Sequence, residues 1–250
     1  NAVKVSFRDA NLRYAGAGAD SLSDITFDVA PGETVGIIGG TGSGKSSLVN
    51  MIPRFYDASQ GSVCIDGVDV KDYTLDELRH KVGVVPQKAV LFAGTIADNI
   101  RWGKQDATEA EIDEALEIAQ AKEFVDGKEN GIYFKITQGG KNLSGGQKQR
   151  LTIARAVVRK PEILILDDSA SALDFATDAA LRKAIRKKTK GMTVFLVSQR
   201  ASTIMNSDKI IVMDDGQIAG IGTHRQLLSN CEIYREICQS QLSEEELSHE

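Results

Sequence analysis

The chain has 250 residues, 42% of them hydrophobic and 26% charged, with 4 prolines. That composition suits one large folded domain, or a domain with a sizeable insertion, and a core that needs no covalent staples. A net charge of −5 and a pI near 5.4 exclude a protein whose main task is to neutralise nucleic-acid phosphates, so no nucleic-acid partner is expected. Cys64, Cys231 and Cys238 show no metal-ligand spacing and fit reduced thiols.

From the N-terminus, apolar runs predict strands at Val3 to Leu12, Ile25 to Val29 and Thr34 to Gly39, the last two separated by the turn Ala30-Pro31-Gly32-Glu33. A helix over Lys45 to Ile52 follows, then a strand at Ser62 to Ile65, a turn at Asp66-Gly67, a short helix at Leu75 to Arg79 and a strand at Val82 to Val85. Phe92 to Lys160 breaks this rhythm: it is strand-poor and rich in Ala, Glu and Lys, and it reads as a helical insertion with helices at Glu109 to Ala119 and Ser144 to Arg159. Beyond it come a strand at Ile163 to Asp167, a helix at Phe175 to Lys188, strands at Thr193 to Ser198, Ile210 to Met213 and Ile218 to Ile221, and one long helix from His224 to Gln241. Short Val/Ile-rich strands alternating with helices favour an α/β fold with a parallel sheet. The tail around Glu244-Glu245-Glu246 reads as disordered or loosely helical. No apolar stretch approaches the roughly 20 residues that span a bilayer. The missing initiating Met and the start inside a strand point to a piece of something longer.

Gly36 to Leu48, GIIGGTGSGKSSL, contains G-x-x-x-x-G-K-S with Gly39, Gly44, Lys45 and Ser46 in register, between an apolar strand and a helical run. Gly39, Gly40, Thr41, Gly42, Ser43 and Gly44 let backbone N–H groups turn inward around phosphates. Lys45 places a point charge at the β/γ oxygens, while Ser46, with Ser47 beside it, offers a hydroxyl to Mg²⁺ at a helix N-terminus. A nucleotide with Mg²⁺ is therefore expected. Asp167, at the end of Ile163-Leu164-Ile165-Leu166, is the natural partner of that metal.

Asn142 to Asp168, NLSGGQKQRLTIARAVVRKPEILILDD, adds an LSGGQ signature at a set distance before the acidic strand end. This resembles the nucleotide-binding domains of ATP-binding cassette (ABC) proteins over nearly the whole chain. The resemblance implies ATP as the nucleotide, and a P-loop NTPase core with a mainly parallel sheet, an N-terminal antiparallel β subdomain and an inserted α-helical subdomain. Residues 1–88 and 161–242 would form the ATP-binding core, 89–160 the helical part with the signature, and 243–250 the acidic tail. It also implies that Tyr14 stacks on adenine, that Gln87 senses Mg²⁺ and the membrane domain, and that Ser171 to Asp174 cross a dimer interface. Ser144, Gly145, Gly146 and Gln147 would bind the nucleotide held by the P-loop of a second, head-to-tail domain. LFAGTIADNIRWG and GTHRQLLSN resemble exporter-type chains. They imply a transmembrane domain contacted near Gln87 to Trp102 and a place on the cytoplasmic side of a membrane.

Three positions depart from the family pattern. Asp168 in LDDSASALD stands where members that hydrolyse well carry a glutamate, which withdraws the carboxylate by about 1.5 Å; misplacement of about 1 Å costs as much as 10²-fold in rate. Gln199 stands where the family has a histidine, so the charge at that place is lost; His80, His224 and His249 lie elsewhere. Gln138 aligns with a glutamate of the exporter cross-subunit segment. Lys45, Asp168 and Gln199 are thus the catalytic candidates, with ATP binding expected to outlast hydrolysis. This asymmetry resembles one half of a heterodimeric exporter whose partner is a non-identical nucleotide-binding domain. An ATP-gated dimerisation module without hydrolysis of its own, and the ATPase domain of a homodimeric exporter, are the alternatives.

Overall fold

The computed structural model describes residues 2–243; the Glu244-Glu245-Glu246 tail and His249 lie outside the described residues. The strands are β1 (Val5–Leu12), β2 (Leu22–Val29), β3 (Thr34–Gly39), β4 (Gln60–Ile65), β5 (Val68–Asp69), β6 (Val82–Val85), β7 (Gly94–Thr95), β8 (Lys135–Ile136), β9 (Ile163–Asp167), β10 (Thr193–Val197), β11 (Lys209–Asp214) and β12 (Gln217–Gly222). The α-helices are α1 (Lys45–Asn50), α2 (Leu75–Lys81), α3 (Ile96–Arg101), α4 (Glu109–Ile118), α5 (Lys122–Asp126), α6 (Gly145–Val157), α7 (Phe175–Lys188), α8 (Ala201–Ile204), α9 (His224–Asn230) and α10 (Glu232–Gln241). They divide into two compact units, Asn1–Val82 with Gly191–Glu250, and Gly83–Lys190.

In the first unit, β2, β1, β4 and β5 form an antiparallel sheet in that order. Alternation along β1 buries Val5 and Phe7, then restarts at Ala10 and Leu12 because a bulge with Asp9 at φ 45 shifts the register. The bulge explains Gly61 on β4, where a Cβ would stand 2.2 Å from the Asp9 carbonyl oxygen at a φ of +73. Phe7 and Phe27, paired across β1 and β2, stack with ring centroids 4.6 Å apart. The second layer of this unit sets β12, β11, β3 and β10 side by side. β3 is parallel to both neighbours, with Ile37 opposite Val197 on one edge and Ile211 on the other. Val35, Ile37 and Ile38 are fully buried, as the continuous apolar run of a strand covered on both faces requires.

In the second unit β9 and β6 are neighbours, β9 buries Ile163 to Leu166, and β7 pairs antiparallel with β8. Helix α6 turns Leu151, Ile153, Ala154 and Val157 inward. Three of its helices start on local capping boxes, Thr95 with Asp98, Thr108 with Glu111, and Ser144 with Gln147. The α/β fold with an antiparallel N-terminal sheet and a parallel-rich second sheet is the one implied by the sequence.

One element needs correction. The single helix read from His224 to Gln241 is two, broken at Cys231, whose φ of −125 and ψ of 106 are extended. Cys231 is 5% exposed and its Sγ would lie 3.1 Å from a Cβ on Gly220 of β12, so packing against the sheet overrides the helical period. The two-residue strands β5, β7 and β8 and the short helices α3, α5 and α8 carry too few residues for a periodic signal. Ile37→Ala is expected to lower stability by about 2–5 kcal/mol through loss of apolar burial and a residual cavity. Val68→Ala, at an edge position 41% exposed, should stay within about 0.5 kcal/mol; urea unfolding of the two variants compares them directly.

Candidate nucleotide-binding site

The first unit builds a glycine-lined cradle from β3 onward. Register places Gly39 beside Met213 of β11, while Ser198 N–H donates to the Ile37 carbonyl at 3.1 Å, so the loop bearing Gln199 leaves the sheet at the same edge as the glycine loop. Lys45, 9% exposed, turns back and donates from Nζ to the carbonyls of Gly39 at 2.7 Å and Gly40 at 2.9 Å. The glycines divide by role. At Gly39 a Cβ would lie 2.4 Å from the Met213 carbonyl oxygen, and Gly44, at φ 101, would strike Leu22; at Gly40 and Gly42 a Cβ would meet nothing within 4 Å. Two glycines thus fold the loop tightly and two leave its mouth open. Ser43 Oγ is buried with no hydrogen-bond partner, a polar atom suited to a ligand oxygen. Thr41 and Ser46 are exposed at the rim.

Tyr14 reaches this loop through a hydrogen bond between its hydroxyl and that of Ser47. Its ring meets Tyr56 edge-on, with centroids 5.0 Å apart. Tyr56, 39% exposed, escaped the sequence reading because nothing local marks it. Of the described histidines, His80 is exposed on α2, and His224 at the start of α9 bonds the Tyr234 hydroxyl at 2.5 Å, with burial pushing its pKa down.

In the second unit, Asp167 ends β9 and Asp168 follows at φ 52, a left-handed conformation that aspartate tolerates better than longer side chains. Gln87 Nε2 donates to Asp168 Oδ2 at 3.2 Å. The same segments are joined again by Gln149 of α6, a residue 5% exposed. Its Nε2 donates to the Gln87 carbonyl at 2.8 Å and its Oε1 accepts from Ala172 N–H at 3.4 Å. The signature S-x-x-Q is itself a capping box: Ser144 Oγ accepts from Gln147 N–H and Gln147 Oε1 accepts from Ser144 N–H, each at 3.1 Å. These bonds use one acceptor on each side chain, and the Ser144 hydroxyl proton and the Gln147 side-chain N–H groups take no part in them. Gly145 and Gly146 lie against Ala172, the latter so closely that a Cβ would approach its carbonyl to 3.2 Å. Asp174 caps α7 by accepting from Thr177 N–H at 2.7 Å, and that backbone bond holds its carboxyl below the usual range. Gln138 sits exposed in a 3₁₀ turn.

The second unit also carries a cavity of about 310 Å³ lined by Gly83, Pro86, Phe92, Trp102, Arg155 and Arg159 among others. Phe92 and Trp102 are 43% and 67% exposed with ring centroids 4.9 Å apart, and the Arg155 guanidinium lies 5.9 Å from the Phe92 ring centre. Asn99, 2% exposed, braces this wall by bonding both the N–H and the carbonyl of Phe92 at 2.9 Å.

A central parallel strand running into a glycine loop that closes on a lysine, and then into a helix, defines a P-loop nucleotide-binding protein. The chain belongs to the ABC transporter family, whose description "ABC transporter" matches residues 22–171. It is 45% identical over 240 residues to an uncharacterized ABC transporter ATP-binding protein of Mycobacterium tuberculosis (strain ATCC 25618 / H37Rv), covering 95% of this chain and 41% of that protein. To an ATP-dependent lipid A-core flippase of Hahella chejuensis it is 41% identical over 242 residues, covering 96% and 41%. Among solved structures, a bacterial Atm1-family ABC exporter with ATP bound superposes with a TM-score of 0.92 at 37% identity, covering 98% of this chain and 43% of the exporter. The chain therefore spans about two fifths of the length of these relatives. Among the described residues no helix is long and apolar enough to cross a membrane.

Gly39→Ala is expected to abolish ATP binding and lower the melting temperature, since the methyl collides with backbone. Gly40→Ala should leave melting unchanged and weaken ATP binding alone, because its methyl enters the open mouth of the loop, where the sequence leads one to expect phosphate; calorimetric titration and thermal melts separate the two. Gln149→Met, which keeps volume and strips both hydrogen bonds, should cost about 0.5–1.5 kcal/mol for each hydrogen bond lost. Hydrogen exchange should then quicken in the segments around Gln87 and Ala172 together.

Proposed function

We propose that the chain is the ATP-binding and ATP-hydrolysing domain of a heterodimeric ABC exporter on the cytoplasmic side of a membrane. Its own P-loop site is degenerate, and its signature completes a competent site on the partner domain. Nucleotide phosphates are taken by residues 39–47 and adenine by Tyr14. Mg²⁺ would be held by Ser46, Gln87 and Asp167, which offer oxygen donors of the kind this hard cation prefers. The ion's contribution is to neutralise charge on the β- and γ-phosphates. Among the described residues no cluster of three His, Cys, Asp or Glu side chains offers a rival metal site. Within this reading residues 1–88 and 161–242 form the ATP-binding core, and 89–160 carry the signature.

The observation that carries the reading is the state of Asp168. It has a short side chain, stands at φ 52, and accepts from the Gln87 amide at 3.2 Å, so it is poorly placed to polarise water. Gln199, at the edge shared with the P-loop, can donate a hydrogen bond to phosphate and cannot carry charge. Binding residues are retained while the two residues of the cleavage step are altered. The lipid A-core flippase relatives and the ATP-bound exporter support the export assignment. The aromatic cavity of Phe92 and Trp102 supports docking of the transmembrane domain near Gln87 to Trp102.

The test restores both residues. Asp168→Glu with Gln199→His is expected to raise ATP turnover at this site at least tenfold, part of the roughly 10²–10⁴ that general-base catalysis supplies, with ATP affinity within threefold of wild type. A wild-type chain that already turns over as fast as the double variant would overturn the degenerate-site assignment. A homodimer with full activity would replace it with the symmetric exporter.

A further inference from the structure

The loop that leaves β10 is held at both ends, each by a residue far away in sequence. At its start, Ser198 N–H donates to the Ile37 carbonyl and Arg200 N–H donates to Ser198 Oγ at 2.9 Å. At its far end, α8 opens at Ala201 with Arg200 as its N-cap residue, and Arg200 provides no side-chain cap. The first amide of that helix needs an outside acceptor. Gln241, the last residue of α10, supplies it: its Oε1 accepts from Ala201 N–H at 2.8 Å, and its Nε2 donates to the Gln199 carbonyl at 2.8 Å. One carboxamide thus pairs with the peptide groups on both sides of Arg200, as a neighbouring strand would.

The clasp is anchored. Tyr234 and Cys238 of α10 are fully buried and Leu242, just beyond it, is 8% exposed, so Gln241 projects from a fixed helix end. The backbone of Gln199 is therefore set between β3, which also ends in the P-loop, and the C-terminal helix.

We propose that Gln241 is a positioning residue for Gln199, and that α10 thereby helps the site distinguish a nucleoside triphosphate from a diphosphate. By holding the Gln199 carbonyl, Gln241 aims the Gln199 side-chain amide at the terminal phosphate, the only group the two ligands do not share. This inference rests on the reading of Gln199 as the residue facing that phosphate.

The test measures affinities of the chain for the non-hydrolysable triphosphate AMP-PNP and for ADP, each with Mg²⁺, in Gln199→Ala, Gln241→Met and the double variant. Loss of one or two hydrogen bonds should weaken AMP-PNP binding about three- to tenfold in Gln241→Met while leaving ADP binding unchanged. The double variant should match Gln199→Ala alone, since the two residues act through one contact. Should Gln241→Met melt early, Gln241→Glu, which keeps the acceptor for Ala201 and loses the donor to Gln199, takes its place in the comparison. Equal loss of AMP-PNP and ADP binding, or additive effects in the double variant, would overturn the proposal. Gln199→Ala that leaves the AMP-PNP to ADP ratio unmoved would overturn the reading of Gln199 beneath it, an outcome separate from failure of the clasp.

Discussion

Parallel pairing on both edges of β3 is the constraint on which the first unit's chemistry depends. The register of β3 is fixed by its glycines, because a slip of one residue would bring a side chain to the place of Gly36 against Ile204 or of Gly39 against the Met213 carbonyl, where no Cβ fits. That register puts the end of β3, the exit of β10 and Met213 together at one edge. The glycine loop then has a rigid origin, and Gly39 is required there because the Met213 carbonyl leaves no room for a methyl group. The shape of the loop proposed to take phosphate is thus set by packing alone.

Neutral carboxamides do much of the remaining positioning. Gln149 joins the Gln87 and Ala172 segments, Asn99 braces Phe92, and Gln241 clasps the Gln199 loop. A carboxamide offers a donor and an acceptor on one planar group, so it can stand in for a missing strand partner. It can also be buried, as Gln149 and Asn99 are, without the desolvation penalty of a charge. Loops held this way respond little to ionic strength, which screens charged pairs and leaves such bonds in place.

This manner of support matters for a site proposed to bind ATP better than it cleaves it. Retention of Lys45 against the Gly39 and Gly40 carbonyls preserves the cradle. Of the two catalytic candidates that depart from the family pattern, Gln199 has its carbonyl held by Gln241, and the Asp168 carbonyl accepts from Ser171 N–H at 3.3 Å. Under the proposed reading, such a site would keep its binding geometry and could report the presence of nucleotide to a partner whose own site turns over.

What the sequence determined by itself is what short-range chemistry encodes. The glycine loop and the apolar strand ending in Asp167 are made by residues a few positions apart, so their patterns are visible in the string. The α/β fold followed from the same local periods. Tertiary structure alone decided the rest. The break at Cys231 depends on Gly220, the edge contact on Tyr14 depends on Tyr56, and the grip on the Gln199 loop depends on a side chain some forty residues downstream. No periodic signal links such pairs, because their proximity is created by the way the sheets and helices pack.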